Sequence, residues 1–296
     1  MSDSENKDDE LINDFLDSDY NTEDDEDAEA VFDAKEKRRK KNTILRRLVM
    51  IIAAGVFIFA AGNLISIFHE YNKGNQIYNS IEKEVLDEDA HTKVIIGDED
   101  NEVDIPFTYD HNTLLSINKD GLGYVYIPSI DCRLPLVQAS DNDYYLSHTF
   151  DNVYNINGCL FEDYRINGGL SASHVIIHGH NMKSGAMFGK LSRYKSYNFW
   201  NTQGNSSFYI YTGNVIKEYK IFSCHISEPV GDTYTYNFPS LESMRAYASE
   251  MKSRSLYDTG IDVSNATQIV TLSTCTDDLQ NRLIVHGIYT GEATLP

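Results

Sequence analysis

An uninterrupted apolar run at residues 48–68 constrains this chain more than any other feature of its sequence. The run, LVMIIAAGVFIFAAGNLISIF, contains no charged residue, and its polar residues Asn63 and Ser66 lie near its C-terminal end. As an α-helix it would extend about 31 Å, roughly the hydrocarbon thickness of a bilayer. Buried helices of soluble proteins rarely lack charge on every face, and the apolar part of a cleaved signal peptide is shorter and closer to the N-terminus. The run therefore predicts a transmembrane helix.

The charges that flank this run predict its orientation. Residues 35–47 hold eight Lys or Arg and one Glu, whereas Lys73 is the only Lys or Arg in residues 69–80. Because basic residues are retained on the cytoplasmic side, we predict a cytoplasmic N-terminus and an extracytoplasmic segment at residues 69–296. The expected location is the cell membrane, with a single span.

Charge and pattern divide the chain into four predicted parts. Residues 1–47 form an acidic and then basic cytoplasmic tail, for which we expect disorder because residues 1–34 hold 15 Asp or Glu and one Lys. The transmembrane helix at 48–68 follows. Residues 69–112 should form a helix and then a linker, and residues 113–296 a folded domain. The net charge of −20 argues against a nucleic acid as partner.

Short segments rich in β-branched and aromatic residues dominate the folded domain. Examples are HVIIHGH at 174–180 and QIVTLSTC at 268–275, and clusters of Gly, Asn, Asp and Ser separate such segments. We predict two helices among them, at residues 185–200 and 240–255. Regularly spaced strands with few helices indicate a mostly β fold, either a barrel or a sandwich.

Three kinds of side chain in this domain could carry out chemistry. Cys275 ends an apolar strand, where a rigid scaffold can display a reactive thiol, although a buried inert thiol is the alternative. His178 and His180 would share one face of a strand, and an imidazole can help to form the thiolate. Arg282 begins the next strand, so a hairpin would bring its charge near Cys275. A zinc site made by the two histidines and Cys275 is a further alternative.

The other three cysteines have no polar cluster around them. Cys132, Cys159 and Cys224 lie in ordinary strand patterns, so buried thiols are expected. A structural disulfide among them stays open, because the segment is predicted to lie outside the cytoplasm.

The motifs around these residues resemble those of sortases. TLSTC followed by Arg282 in NRLIVHG is similar to the family's TLxTC signature, and HGHNMKSGAMFGKLSRYK resembles the histidine segment of class B members. Further similar pieces are GLGYVYIPSIDCRLPLVQASDNDYYLSHTF, NGCLFEDYR and FPSLESMRAYASEMKSRSLYDTG. The resemblance covers roughly residues 69–290.

This resemblance implies a fold and an activity. The fold would be a closed eight-stranded sortase-type β-barrel at residues 113–296, with an N-terminal helical piece and a helix before the cysteine strand. The activity would be cysteine transpeptidation, in which secreted proteins are cleaved after Thr in a C-terminal sorting signal of the NPxTx kind and are joined to an amine of a peptidoglycan precursor. No metal and no cofactor are expected.

The resemblance also implies roles for seven residues. Cys275 would be the nucleophile, His180 the acid and base, and Arg282 the group that orients the substrate or binds the oxyanion. Asn142, Leu146 and Ser273 would line the substrate groove, and so would His178, which stands where many class B members have Tyr. The spacing from Cys275 to Arg282 is shorter than in several class B members, which implies a tighter loop.

Other functions remain open on the sequence alone. A sortase that polymerises pilin subunits would use a lysine of another protein as acceptor. An L,D-transpeptidase or a cysteine peptidase of the cell wall, and a membrane-anchored binding domain without enzymatic activity, are further alternatives. The acceptor amine, the sorting motif, the oligomeric state and the role of the acidic tail are not fixed by the sequence.

Overall fold

The computed structural model describes residues 22–97 and 101–295, with side chains from Ala30 onward. The chain divides into two units, Met1–Ser66 and Ile67–Pro296. The described α-helices are α1 (Thr22–Val85), α2 (His111–Ile117), α3 (Tyr197–Trp200) and α4 (Leu241–Ser253). Short 3-10 turns lie at Pro128–Ile130, Tyr144–Leu146, Gly169–Ser171, Leu191–Lys195 and Asp232–Tyr234.

Eight strands close into a barrel, which confirms the predicted fold class. The described residues form twelve strands in all: β1 (Leu86–Asp87), β2 (Thr92–Ile95), β3 (Glu102–Ile105), β4 (Thr108–Tyr109), β5 (Gly121–Ile127), β6 (Cys132–Val137), β7 (Leu160–Glu162), β8 (His174–His178), β9 (Ser207–Thr212), β10 (Val215–Ser227), β11 (Ile269–Cys275) and β12 (Arg282–Thr294). The barrel consists of β5 to β12, in the order β10-β12-β11-β8-β7-β6-β5-β9. The β6–β7 and β8–β11 pairs are parallel, and the other pairs of the barrel are antiparallel.

Helix α1 contains the apolar run at residues 48–68. Within the described residues it is the one helix long and apolar enough to cross a membrane. It begins at Thr22, so residues 22–47 are helical where the sequence favoured disorder, and residues 1–21 of the tail lie outside the described residues. Lys and Arg favour helices, and Lys40 pairs with Glu36 one turn away at 2.8 Å. The division of the chain into four parts stays a prediction.

The last turns of α1 belong to the C-terminal unit and pack on the barrel. Ile81 and Val85 are buried there. The Nδ2 of Asn155 donates to the Glu70 carbonyl at 3.0 Å. The segment after Val85 is not the linker that we expected, because β2 and β3 pair as a hairpin and β1 pairs with β4. The segment is rich in acidic residues, and we therefore overlooked the alternation of apolar and polar residues that half-buried strands require.

The two helices predicted inside the domain differ in outcome. Residues 185–200 do not form one helix, because Gly185 and Met187 take left-handed backbone angles and only the 3-10 turn and α3 follow. Helix α4 is confirmed, and its N-cap is Ser240, whose side chain accepts from the Ser243 amide in a capping box. Its buried face, which includes Met244, packs on residues of the barrel's outer surface.

Candidate active site

Cys275 lies at the C-terminal end of β11, directly opposite Arg282 at the start of β12. Side chains of directly opposed residues in an antiparallel pair point to the same face of the sheet. Both residues are partly exposed. The hairpin that the sequence predicts therefore forms, and it places the thiol and the guanidinium on one face of the barrel wall.

His180 follows β8, which runs parallel to β11 on the other side. His178 pairs with Ser273, and the Gly179 amide donates to the Ser273 carbonyl at 3.1 Å. Continuing this register by two residues brings His180 level with Cys275. The thiol of β11 thus lies between an imidazole-bearing segment and an arginine-bearing strand.

The imidazole of His180 has one nitrogen engaged. Its Nε2 lies 2.7 Å from the carbonyl oxygen of Leu146. Because a carbonyl oxygen only accepts, Nε2 carries the proton and Nδ1 is the basic nitrogen of the neutral ring. Leu146, predicted to line a groove, therefore also orients His180 through its backbone, while its side chain is exposed.

His178 is held by a buried carboxylate. Its Nε2 lies 3.0 Å from Oδ2 of Asp163, which is fully buried, so Nε2 donates and Nδ1 is free of this contact. Burial by itself raises the pKa of Asp163, but hydrogen bonds from Arg165 and His178 outweigh it and hold the pKa well below its usual range. Asp163 thus stays ionised beneath the site.

Asp163 also joins other candidate residues to this network. Arg165 binds its two oxygens at 2.8 and 2.7 Å, and Nδ2 of Asn142 donates to Oδ2 at 3.0 Å. The Oδ1 of Asn142 accepts from the Tyr164 amide at 3.0 Å. Asn142, predicted to line the groove, is therefore bonded to the protein framework through both ends of its amide.

Tyr234 is a residue of the site that the sequence did not reveal. Its hydroxyl lies 2.9 Å from Oγ of Ser273, and its ring stacks on His178 with centroids 6.1 Å apart. Ser273 is only 1% exposed, so it lies beneath Tyr234 rather than in the open. Tyr234 comes from the connection between β10 and α4, and only the cluster of aromatic residues in TYTYNF marks that connection in the sequence.

The loop from Cys275 to Arg282 is short and internally bonded. The Thr276 amide donates to the Asn281 carbonyl at 3.0 Å, and Leu279 takes a left-handed φ of 61°. Arg282 donates through Nη1 to the Asn281 carbonyl at 3.1 Å. These contacts fix the tight turn that the spacing predicts and hold one end of the guanidinium.

The remaining cysteines lie away from this chemistry. Cys132, Cys159 and Cys224 are buried free thiols, and no disulfide forms among them. Burial raises the pKa of each to about 12. In the described part of the chain, no group of three or more His, Cys, Asp or Glu side chains is placed to hold a metal ion.

Chemically, the arrangement suits acyl transfer through a thiol. A thiol beside an imidazole can become a thiolate, and a guanidinium on the same face can stabilise an oxyanion. The polar network beneath them fixes the strand ends that present these groups.

Comparison with known proteins gives consistent matches. Residues 125–289 match the family model of the sortase domain. Sortase B of Listeria monocytogenes is 30% identical over 253 residues, which cover 84% of this chain and 98% of that protein.

Solved structures agree in fold. Sortase B from Bacillus anthracis in complex with AAEK1 has 25% identity and a TM-score of 0.62, and the match covers 76% of this chain and 99% of that one. Sortase B of Clostridium perfringens has 29% identity and a TM-score of 0.56, with 61% and 99% covered. Each match extends over almost the whole of the relative.

Proposed function

Because this chain belongs to the sortase family and is a cysteine transpeptidase of the sortase B kind, we propose that it attaches secreted proteins to the cell wall. The Cys275 thiolate attacks the Thr carbonyl of a C-terminal sorting signal. A thioester forms, and the C-terminal part of the signal leaves as an amine. An amine of a peptidoglycan precursor then attacks the thioester, which restores the thiol and forms a new amide.

The pairing of Cys275 with Arg282 carries this proposal, since it puts a nucleophile and a cation at one place on the barrel. His180 takes the thiol proton at Nδ1 and returns a proton to the leaving amine. Arg282 stabilises the negative charge that develops on the carbonyl oxygen.

We place the sorting signal along the outer face beside Cys275. Leu146 is exposed and adjoins His180, and His178 presents a free Nδ1 two residues before it. Asn142 and Ser273 support this surface from beneath through Asp163 and Tyr234. These groove assignments follow the family resemblance and are supported by the proximity of the four residues to the site.

The test uses the full chain in detergent with synthetic peptides. We expect an NPxTx peptide to acylate Cys275 faster than an LPxTG peptide, with the adduct located by mass spectrometry. Cys275→Ala serves as the control and should carry no adduct. Equal or reversed preference would refute the class B substrate assignment, and an adduct on another residue would refute the role of Cys275.

We also propose that α1 anchors the enzyme with its N-terminus in the cytoplasm. The uncharged run at 48–68 and the basic residues before it support this topology. Protease added to intact protoplasts should degrade the barrel and spare an epitope tag at the N-terminus. Loss of the tag with survival of the barrel would reverse the orientation.

A further inference from the structure

Three histidines are buried beneath α4, away from the groups that react. His174, His225 and His286 are at most 3% exposed and lie on the outer face of β8, β10 and β12. The proposed reaction uses none of them. Histidines are rarely buried without partners, so their hydrogen bonds indicate what they do.

Two of these histidines form a directed chain through Thr271. The Nδ1 of His174 lies 2.6 Å from the Thr235 carbonyl, and its Nε2 lies 2.6 Å from Oγ1 of Thr271. The carbonyl only accepts, so Nδ1 of the neutral ring donates and Nε2 accepts from the Thr271 hydroxyl. Oγ1 of Thr271 then accepts from Nδ1 of His286 at 2.7 Å. The donor and the acceptor of each of these three hydrogen bonds are therefore assigned.

This series of hydrogen bonds ends on the segment that contains Tyr234, a residue of the site. Thr235, whose carbonyl His174 binds, is the next residue after Tyr234. The hydroxyl of Tyr247 in α4 donates to the Thr233 carbonyl at 2.7 Å, on the other side of Tyr234. The backbone on both sides of Tyr234 is thus held from beneath α4, and Tyr234 itself bonds Ser273 and stacks on His178.

An apolar layer lies between the histidines and the site. Tyr234 packs there with Ile176 and Ile284, from β8 and β12. The Tyr234 segment is therefore in contact with this layer and, at Thr235, is hydrogen-bonded to His174.

We propose that His174 is a positioning residue for the substrate groove: by holding the Thr235 carbonyl it keeps Tyr234 against Ser273 and His178. The part of this proposal that concerns substrate binding rests on the proposed function. His174 does not touch the reacting atoms, so its loss should weaken binding of the sorting signal rather than the chemistry at Cys275.

The chain offers a matched pair of substitutions and a matched control. In His174→Asn the amide can donate to the Thr235 carbonyl near the place of Nδ1 but cannot reach Thr271, and in His174→Gln the amide can reach Thr271 instead. His225 is similarly buried and its ring lies 5.2 Å from that of His286, but its described side-chain hydrogen bond is to Ser223 Oγ at 3.3 Å and not to the Tyr234 segment. His225→Gln is therefore the control for disturbance of the cluster as a whole.

The experiment measures two quantities on the full chain in detergent. The first is KM and kcat for the best sorting-signal peptide. The second is hydrogen exchange of the backbone amides in residues 232–236, read by mass spectrometry, which needs no substrate. We expect His174→Gln to raise KM about fivefold, the loss of one hydrogen bond, with little change in kcat, and to speed exchange of this segment. His174→Asn and His225→Gln should stay near the wild-type KM.

The following results would overturn the proposal or the proposed function. If His174→Gln keeps wild-type KM and exchange, or if His225→Gln raises KM as much, His174 is only a core residue and the proposal is wrong. If kcat falls while KM is unchanged, the effect is on chemistry and the proposal is also wrong. If no peptide reacts with the wild-type protein, the proposed function fails, and exchange in residues 232–236 alone decides the role of His174.

Discussion

At the residue scale, Arg282 and His180 differ in how the protein holds them. Arg282 is fixed by its cross-strand position opposite Cys275 and by the carbonyl of Asn281. His180 lies beyond the end of β8 and is oriented by the Leu146 carbonyl. Substitution of Arg282 and substitution of His180 should therefore lower the acylation rate by different amounts and for different reasons.

We predict a graded loss of the acylation rate for variants of these two residues. His180→Ala should lose about 10²–10⁴-fold, because the thiol keeps its proton and the leaving amine receives none. Arg282→Ala should lose about 10²–10³-fold, and Arg282→Lys should recover part of this, since an ammonium lacks the guanidinium fork. Single-turnover acylation of the full chain measures each rate, and circular dichroism checks folding. If the Arg282→Ala protein is folded and reacts at the wild-type rate, a group other than Arg282 stabilises the oxyanion.

Glu162 is a buried carboxyl whose two oxygens have no hydrogen-bond partner. It lies in β7 next to Asp163. Burial and then the charge of Asp163 raise the pKa of Glu162 to about 8 from an unfolded value of 4.5. It is neutral in the folded protein below that pH, while the unfolded chain ionises above 4.5. Its contribution to stability is therefore greatest below pH 4.5 and is lost as the pH rises towards 8.

We predict that Glu162→Met raises the free energy of unfolding by about 1–3 kcal/mol near neutral pH, because it removes an unsatisfied polar group. The gain should be smaller at pH 5 than at pH 8. Denaturant unfolding of the full chain in detergent measures it. The control is Glu218→Met, since Glu218 is equally buried but bonds Asn101, Ser207 and Thr290, and its loss should destabilise. Destabilisation by both substitutions would contradict the prediction.

At the element scale, the last turns of α1 approach the barrel closely through Gly74. A Cβ added at Gly74 would lie 2.3 Å from Nδ2 of Asn157 and 2.5 Å from Oδ1 of Asn155. Both asparagines are fully buried, so neither can move aside freely. The missing side chain at Gly74 allows this contact.

We predict that Gly74→Ala destabilises the C-terminal unit by about 1–3 kcal/mol through overpacking, despite the better helix propensity of Ala. Gly62→Ala in the same helix is the control, because an added Cβ there meets no atom within 4 Å. Thermal unfolding of the two variants in detergent, followed by tyrosine fluorescence, measures the difference. Equal melting temperatures would show that the contact tolerates a methyl group.

At the scale of the whole molecule, three buried histidines contribute to the response to acid. Burial lowers the pKa of His174 and of His225 to about 4. Burial, followed by the neighbouring histidines, also holds the pKa of His286 well below its usual range. The unfolded chain binds these protons near pH 6.5, whereas the folded protein does not. Stability is therefore lost as the pH falls from about 6.5 towards 4.

We predict that the free energy of unfolding decreases between pH 6.5 and 5, because each histidine removes up to about 1.4 kcal/mol per pH unit and the opposite contribution of Glu162 offsets only one of the three. Denaturant titrations of the full chain at several pH values measure this slope. His225→Leu should reduce it, since one of the three titrating groups is gone. A stability that is constant over this range would mean that the histidines are protonated in the folded protein.

The sequence by itself determined the features that depend on local pattern. The apolar run at 48–68 needs only its own composition to be a candidate span. The alternation around TLSTC and the short spacing to Arg282 are enough to predict the β11–β12 hairpin, because the two strands are neighbours along the chain. The motifs around Cys275 and His180 were distinctive enough to indicate the sortase family, which the comparisons confirm.

Only the tertiary structure decided which distant residues meet. Asp163 supports His178, and Tyr234 covers Ser273 from a connection 39 residues away. His174 binds the backbone beside Tyr234 across 61 residues of the sequence. Such contacts have no local signature, since the barrel's closure and not the spacing along the chain brings these residues together. The pKa of Glu162 and of the buried histidines depends on the same closure, because burial exists only in the folded molecule.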